Sequence, residues 1–344
     1  MKIIKNKNIY ETYQKILPSF KDLIKKNSEN PSPYWAEEVI GFDYIFEASP
    51  LIINKLRHHC YHLTGESPYE YRNHHNFKLD QFKSKLDLLK SISSEDLFVG
   101  EPEILGGFGF NINGKMVNKD TLKFFECIIA LNKSLSAQKT NIQKSHHNVC
   151  EIGPGWGGFA YYYSTIFPNS KYVIVDLPET LIFSYLFLTE AFPHKKIKLY
   201  DYEETSLNNC DFLLIPNGKF KEFDEEINLG VNICSFQEMT SNQVKEYVNK
   251  LHDLNCKHLY SLNRNLNINN LSLETSISSI MSNKFITSEI EMLKIPYSDL
   301  NIDNLKSKSN LIISIKKIIK LLLKINRNPS KVNYKYQHFL GTKT

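Results

Sequence analysis

The stretch that decides the fold is Val149-Cys-Glu-Ile-Gly-Pro-Gly-Trp-Gly-Gly-Phe-Ala-Tyr-Tyr-Tyr-Ser-Thr-Ile166. Its first four residues predict a buried strand, and residues 159–166 predict a helix. The glycines between them let the backbone turn sharply and approach a ligand without a Cβ in the way. In open α/β sheets, the first strand-to-helix turn of this kind is where a nucleotide-like ligand binds.

Strands and helices alternate on the carboxyl-terminal side of this loop. Strands are predicted at 172–175, 212–215, 231–234 and 258–262, and helices at 181–191 and 241–254. Two further strands are predicted at 285–292 and 334–340. Strands separated by helices imply parallel pairing with right-handed crossovers. The predicted fold class is therefore α/β, with a Rossmann-like, mostly parallel, doubly wound sheet.

The residues before the loop predict a mainly helical region. Apolar residues recur at helical spacing over 9–24, 51–63 and 77–92. A hairpin with its turn at Asn113-Gly114 follows, and Asn118 or Asp120 is expected to cap the next helix. Because residues 136–147 are polar, we place a domain boundary there. We expect a substrate-binding or lid region over 1–140 and a Rossmann-like domain over 141–344.

Composition and charge argue against several classes of protein. The 344 residues include 42 Lys and Arg against 37 Asp and Glu, without a clustered basic stripe, so we expect no nucleic-acid partner. The six cysteines form no CxxC pair, which argues against a zinc ribbon and a disulfide framework. With neither a secretory signal nor an apolar run long enough to span a bilayer, the sequence predicts a cytoplasmic protein.

The glycines alone do not identify the ligand. Gly153, Gly155 and Gly158 also satisfy the dinucleotide pattern, and Asp176 lies at the spacing of a ribose-binding acid. Glu151 favours a different ligand, because a carboxylate would repel a pyrophosphate but attract the ammonium and sulfonium groups of S-adenosylmethionine. The remaining interpretation is a tight structural turn, with Asp176 capping the next helix.

The loop and the stretch Val175-Asp-Leu-Pro-Glu-Thr180 resemble class I S-adenosylmethionine-dependent methyltransferases. More narrowly, the chain resembles the bacterial sugar O-methyltransferase family found among surface-polysaccharide genes. The stretches that carry this narrower resemblance are 62–65, 117–122, 233–239, 260–264 and 336–341. The resemblance implies S-adenosylmethionine as cofactor and S-adenosylhomocysteine as product. It implies, as acceptor, a sugar hydroxyl in a capsule, an O-antigen or a related precursor.

We expect the cofactor site at the carboxyl ends of the strands. Its predicted residues come from the glycine loop and from the ends of two later strands: Glu151, Gly153, Pro154, Gly155, Gly157, Asp176, Leu177, Cys234 and Ser235. Three alternatives to the sugar O-methyltransferase stay open. They are a methyltransferase of a small non-sugar metabolite, an NAD-dependent oxidoreductase, and a non-catalytic partner subunit that binds S-adenosylmethionine.

Methyl transfer to a sugar hydroxyl favours a base, since the hydroxyl is a weak nucleophile. Glu238 is the first candidate. The alternative interpretation is that Glu238 is an exposed acid at the start of a helix, where the helix dipole favours it. His338 is the second candidate, although a lone histidine is commonly structural. Gln237, Asn263 and Arg264 are expected to orient sugar hydroxyls, unless they form an ordinary polar loop.

A metal that acidifies the hydroxyl is a further alternative. His58 and His62 would share one face of a helix over 51–63, and His74 could join them, but no carboxylate lies at matching spacing. The prediction is therefore no metal site. Four aromatic residues of the N-terminal region could stack on sugar rings or belong to the core: Tyr34, Trp35, Tyr69 and Tyr71.

Residues 305–330 predict a basic amphipathic helix, in which Lys316, Lys320 and Lys324 share one face. A helix of this kind can lie on an anionic membrane surface, which would place the protein peripherally at the inner face of the membrane. The alternatives are packing on the core and a homodimer interface, each with a solvated lysine face.

Overall fold

A computed structural model gives the structure of the protein. It describes residues 7–26, 31–72, 76–93, 96–138, 148–267, 269–292 and 335–343. Most of the predicted boundary at 136–147, the predicted basic helix near 305–330 and His74 lie outside these residues. Among the described residues, no helix is both long and apolar enough to cross a bilayer.

The N-terminal part consists of helices and one hairpin. Its α-helices are α1 (Lys7–Lys26), α2 (Pro33–Glu38), α3 (Pro50–Ile53), α4 (Tyr61–Thr64), α5 (Asn76–Ile92) and α6 (Lys119–Ala137). Shorter 3-10 helices cover Val39–Glu47, Leu56–His59 and Pro68–Tyr71. The hairpin strands are β1 (Phe110–Ile112) and β2 (Lys115–Val117).

The predicted single helix over 51–63 is wrong. The chain leaves helical geometry at Lys55, where φ is −123° and ψ is 32°. The backbone N–H of Arg57 donates to the Leu105 carbonyl at 3.0 Å, so a tertiary contact replaces the helical hydrogen bond. His58 and His62 therefore do not share the face of one continuous helix.

The hairpin and the helix after it agree with the prediction. Asn113 and Gly114 have φ angles of 53° and 80°, as a tight two-residue hairpin turn requires. The Asn118 side chain accepts from the backbone N–H of Thr121, and the Thr121 side chain bonds back to the Asn118 backbone. This reciprocal capping box begins α6 next to the glycine loop.

The centre of the molecule is a sheet of eight strands within the described residues. The strands are β3 (Asn148–Ile152), β4 (Lys171–Asp176), β5 (Ile197–Leu199), β6 (Phe212–Pro216), β7 (Leu229–Ile233), β8 (His258–Arg264), β9 (Ile286–Glu289) and β10 (Tyr336–Thr342). Their order is β5-β6-β4-β3-β7-β8-β10-β9. β10 runs antiparallel to both of its neighbours, β8 and β9, and the other strand pairs of this sheet are parallel. The predicted Rossmann-like fold class is confirmed, with β5 as an unpredicted edge strand.

Helices cover both faces of the sheet. They include α7 (Gly158–Ile166), α8 (Pro178–Ala191), α9 (Ser241–Asp253) and α10 (Ile277–Ser282). Alternate residues of β4 enter different apolar clusters, because successive side chains of a strand point to opposite faces. Ile174 faces the cluster that also contains Phe20 and Phe42 of the N-terminal part. Val173 faces the cluster beneath α9 and α10.

Candidate functional site

A cavity of about 400 Å³ lies at the carboxyl ends of β3, β4 and β7. The order of the strands reverses here, since β4 lies on one side of β3 and β7 on the other. Ligands of doubly wound sheets bind at such a switch point. The predicted cofactor residues that line the cavity are Glu151, Gly153, Pro154, Gly155, Asp176, Leu177, Cys234 and Ser235.

The glycine loop needs its first glycine for two reasons. Gly153 has a φ of 70°, in the left-handed region that favours glycine. A Cβ at this position would lie 1.9 Å from Oγ of Ser235, which follows β7. The loop therefore lies directly against the end of the neighbouring strand, and the two segments together form the floor of the cavity.

Gly157 does not line the cavity, which corrects its predicted role. It has a φ of 82° and precedes α7. A Cβ there would lie 3.0 Å from the Cβ of Ser184 on α8. Gly157 thus allows two helices to approach each other closely, and it supports the loop from behind.

Glu151 is buried at the end of β3, where it accepts a hydrogen bond from the Tyr172 hydroxyl at 2.9 Å. Burial raises the pKa of the Glu151 carboxyl to about 8, and the charge of Asp176 adds to this effect. In the unliganded protein, Glu151 is therefore mostly protonated near pH 7, even though the charge of Lys123 lowers its pKa. The prediction that Glu151 repels a pyrophosphate therefore needs correction, because a neutral carboxyl repels no anion. A bound cation would instead favour the ionised form.

Asp176 fixes the glycine loop. One carboxylate oxygen accepts from the Gly155 N–H at 2.9 Å, and the other accepts from the Leu177 N–H at 2.8 Å. Burial raises the pKa of Asp176 to about 6, against the hydrogen bonds that lower it, so the group is mostly ionised at neutral pH. Each oxygen has a further lone pair, which leaves capacity to accept from ribose hydroxyls.

Glu238 lines the same cavity, from the 3-10 turn Phe236–Glu238 after β7. Its carboxylate accepts from Nε1 of Trp35 at 3.1 Å, and its backbone carbonyl accepts from Oγ of Ser32 at 2.7 Å. Burial raises the pKa of Glu238 to about 7. The N-terminal part therefore holds an acid whose pKa suits proton transfer at neutral pH.

His338 lies elsewhere, and its prediction as a base needs correction. It is buried on β10 and does not line the cavity. Its Nδ1 lies 2.7 Å from the Tyr260 hydroxyl, and its Nε2 lies 3.1 Å from a carboxylate oxygen of Glu126. Both ring nitrogens already have protein partners. His338 belongs to a buried network that joins α6 to the sheet.

Asn263 is also behind the cavity wall. Its amide nitrogen donates to the side chains of Asn232 and Ser261, both at 2.8 Å. Its amide oxygen accepts from the Gln237 N–H at 3.2 Å. Asn263 thus positions the turn that carries Glu238. Gln237 and Arg264 do line the cavity.

Two cavity residues, Asp120 and Lys123, come from the first turns of α6 and were not predicted. Lys123 donates to Asp120 at 3.0 Å. Below them, Arg57 lies 3.5 Å from Asp120, and its guanidinium stacks 3.5 Å from the ring centroid of Trp156 in the glycine loop. No sequence motif marks this pair; the available signal was polar residues in the first turns of a largely apolar helix.

The remaining N-terminal candidates divide between the cavity and the core. Tyr34 and Trp35 line the cavity, whereas Tyr71 is buried and Tyr69 is exposed. His62 pairs with Glu38 at 3.2 Å. Within the described ranges, no group of three or more His, Cys, Asp or Glu side chains is arranged to hold a metal ion.

No family model matches the chain, and no curated protein matches it in sequence. Similar solved structures include methyltransferases. Phosphoethanolamine N-methyltransferase 2 of Haemonchus contortus with S-adenosylmethionine is 12% identical, at a TM-score of 0.34, over 62% of this chain and 52% of that one. This chain therefore spans about half the length of that enzyme.

Two further solved structures are also distant. N-methyltransferase NodS of Bradyrhizobium japonicum with S-adenosylhomocysteine is 11% identical, at a TM-score of 0.34, over 63% of this chain and 85% of that one. An O-methyltransferase family protein of Burkholderia thailandensis is 10% identical, at a TM-score of 0.37, over 98% of this chain and 96% of that one. Likenesses at this level carry neither a substrate nor residue roles over to this chain.

Proposed function

We propose that the chain is an S-adenosylmethionine-dependent O-methyltransferase that acts on a sugar hydroxyl, in a bacterial surface glycan or its precursor. The observation that carries the proposal is the arrangement of three acids around one cavity. Glu151 and Asp176 lie beside the glycine loop, and Glu238 lies at the end of the neighbouring β7. The motif resemblance to sugar O-methyltransferases supports the choice of acceptor.

The residues of the cavity fit the cofactor. The loop at Gly153 brings backbone close to the ligand, where a Cβ would collide with Ser235. Asp176 has acceptor capacity for ribose hydroxyls, and Glu151 can ionise beside an ammonium or a sulfonium group. The volume of about 400 Å³ lies within the usual range of small-molecule sites.

The chain's own residues would then activate and position the acceptor. S-adenosylmethionine supplies an electrophilic methyl group. Glu238 would accept the proton of the acceptor hydroxyl, which makes the oxygen a better nucleophile. Trp35 and Ser32 hold Glu238 in place, and Tyr34 and Trp35 offer aromatic faces for a sugar ring.

Binding experiments separate this proposal from an NAD-dependent oxidoreductase. A cation lowers the pKa of Glu151 and so binds with release of a proton, whereas a pyrophosphate would oppose ionisation of the same group. Because a neutral Glu151 does not by itself exclude a pyrophosphate, binding must decide: under this proposal titration calorimetry detects S-adenosylhomocysteine and S-adenosylmethionine but not NADH. Binding of NADH without either of the other two would contradict the proposal. A non-catalytic partner subunit would bind the cofactor, but replacing Glu238 would not change its rate of S-adenosylhomocysteine formation.

A further inference from the structure

Arg264 is the last residue of β8 and lines the same cavity as Glu238. The glycine loop follows β3, and β7 separates β3 from β8. Arg264 is therefore two strands away from the predicted cofactor loop. Its backbone N–H donates to the Gln237 side chain at 2.9 Å, which ties it to the turn that carries Glu238. This end of the cavity is where the proposed function needs the acceptor.

The guanidinium of Arg264 packs against an aromatic ring. It stacks on the ring of Tyr336, 4.8 Å from the centroid. The Tyr336 hydroxyl accepts from Nε2 of Gln237 at 3.3 Å, so the ring is itself positioned. Burial raises the pKa of the Tyr34 hydroxyl, and the charges of Glu238 and Tyr336 add to this shift. Tyr34 therefore lies near both of these residues. A stacked guanidinium presents its N–H edge for two parallel hydrogen bonds.

The other cations of the cavity already have acidic partners. Lys119 pairs with Glu66 at 2.9 Å, and Lys123 pairs with Asp120 at 3.0 Å. Among the residues that the structure describes, no carboxylate lies within 4.0 Å of the half-buried Arg264 guanidinium. The cation that lowers the pKa of Glu238 is Lys123. Within the described part of the chain, the positive charge of Arg264 is thus left for a ligand.

From the guanidinium of Arg264, which lies over Tyr336 and lines the same cavity as Glu238, we infer that the acceptor carries an anionic group, a carboxylate or a phosphate. This inference rests on the proposed function and specifies its acceptor as an acidic sugar or a sugar phosphate. Arg264 binds the anion through two charge-assisted hydrogen bonds, while the aromatic rings of Tyr34 and Tyr336 contact the sugar. The anion anchors one side of the acceptor and leaves a hydroxyl free to face Glu238.

Calorimetry on the full chain saturated with S-adenosylhomocysteine tests the inference, with glucuronate, glucose 1-phosphate and glucose as probes. We expect at least one anionic probe to bind about tenfold or more tightly than glucose, the effect of about one strong hydrogen-bonded charge pair. The preferred anion distinguishes a carboxylate from a phosphate. Arg264→Met keeps an unbranched apolar side chain and should remove the preference. The matched control Lys133→Met removes an exposed charge outside the cavity and should keep it.

Each other outcome overturns the inference. Wild-type protein with no preference for either anion over glucose contradicts it, including the case in which none of the three binds. An anion preference that survives in Arg264→Met also contradicts it. If Arg264→Met instead loses affinity for S-adenosylhomocysteine, the guanidinium binds the cofactor carboxylate and the inference fails. Wild-type protein that binds no S-adenosylhomocysteine contradicts the proposed function itself, which separates the two failures.

Discussion

Glu238 has the properties of a base that works near neutral pH. Burial raises its pKa to about 7, so the ionised, proton-accepting form grows as pH rises through that value. With S-adenosylmethionine saturating at every pH, so that Glu151 does not contribute, we expect kcat/KM for the acceptor to rise from pH 6 to about pH 8 and then level. Glu238→Gln should remove this limb and lower kcat by a factor of about 10² to 10⁴. The measurement is release of S-adenosylhomocysteine with a sugar acceptor found by screening.

Trp35→Phe is the matched variant for this prediction. It keeps an aromatic face in the cavity but removes the Nε1 donor that lowers the pKa of Glu238. The midpoint of the pH profile should therefore move upward, while affinity for S-adenosylhomocysteine stays unchanged. A rising limb that persists in Glu238→Gln would assign the proton transfer to another group.

Sequence spacing could identify the acids at the strand ends but not their protonation. Glu151 and Asp176 follow from their positions relative to the glycines. The raised pKa of Glu151 depends on burial, which the sequence does not display. His338 resembled a site residue because it lies in a family-like stretch, yet Tyr260 and Glu126 occupy both its ring nitrogens. Ser32 and Asp120 carry no motif, so only the fold reveals them.

Within the glycine loop, Gly153 is the position least tolerant of a side chain. Gly153→Ala combines an unfavourable φ of 70° with a collision against Ser235. We expect it to abolish binding of S-adenosylhomocysteine and to destabilise the fold by about 1 kcal/mol or more. Calorimetry and urea unfolding provide the two measurements.

Gly155→Ala separates the backbone strain from the collision. Gly155 has a similar φ of 62°, but a Cβ there would meet its nearest neighbouring atom only at 3.7 Å. Gly155→Ala should therefore lower the stability of the fold less than Gly153→Ala does. The double variant Gly153→Ala with Ser235→Gly should recover part of the lost stability, because it removes the colliding side chain. If Gly153→Ala binds as tightly as wild type, the described loop geometry is wrong.

Long, regularly patterned elements were predicted, and short or tertiary-dependent ones were not. The strands of the β3–β8 series alternate with helices clearly enough to identify the fold class. The edge strand β5 has only three residues, too few for a pattern. The region 51–63 has helical spacing, but the hydrogen bond from Arg57 to Leu105 breaks it into short turns.

Across the whole molecule, the N-terminal helices and one face of the sheet share a single apolar cluster. Helix α1 packs on α8, and Arg57 stacks on Trp156. We therefore expect the described parts to unfold cooperatively. The chain has two tryptophans, Trp35 in α2 and Trp156 in the glycine loop, which report on the two regions separately.

Urea unfolding of single-tryptophan variants measures this coupling. In Trp156→Phe the fluorescence of Trp35 reports on the N-terminal part, and in Trp35→Phe that of Trp156 reports on the sheet. In each variant, the fluorescence transition should coincide with the loss of far-ultraviolet circular dichroism. A Trp35 transition at lower urea than the circular dichroism transition would show that the N-terminal part unfolds on its own.

The proposed function requires Glu151 to ionise when it holds a cationic cofactor. With a pKa of about 8 in the free protein, Glu151 must release a proton when the cation binds below that pH. Affinity for S-adenosylmethionine should therefore increase with pH, by at most about tenfold per unit, and level above about pH 8.

Calorimetry between about pH 6 and pH 9, on wild type and Glu151→Gln, measures this ionisation. Both proteins retain Asp176 and Glu238, so the difference between their pH curves isolates Glu151. We expect a rising curve for wild type, and weaker binding with no comparable rise for Glu151→Gln. Equal affinities of the two proteins across this pH range would contradict it.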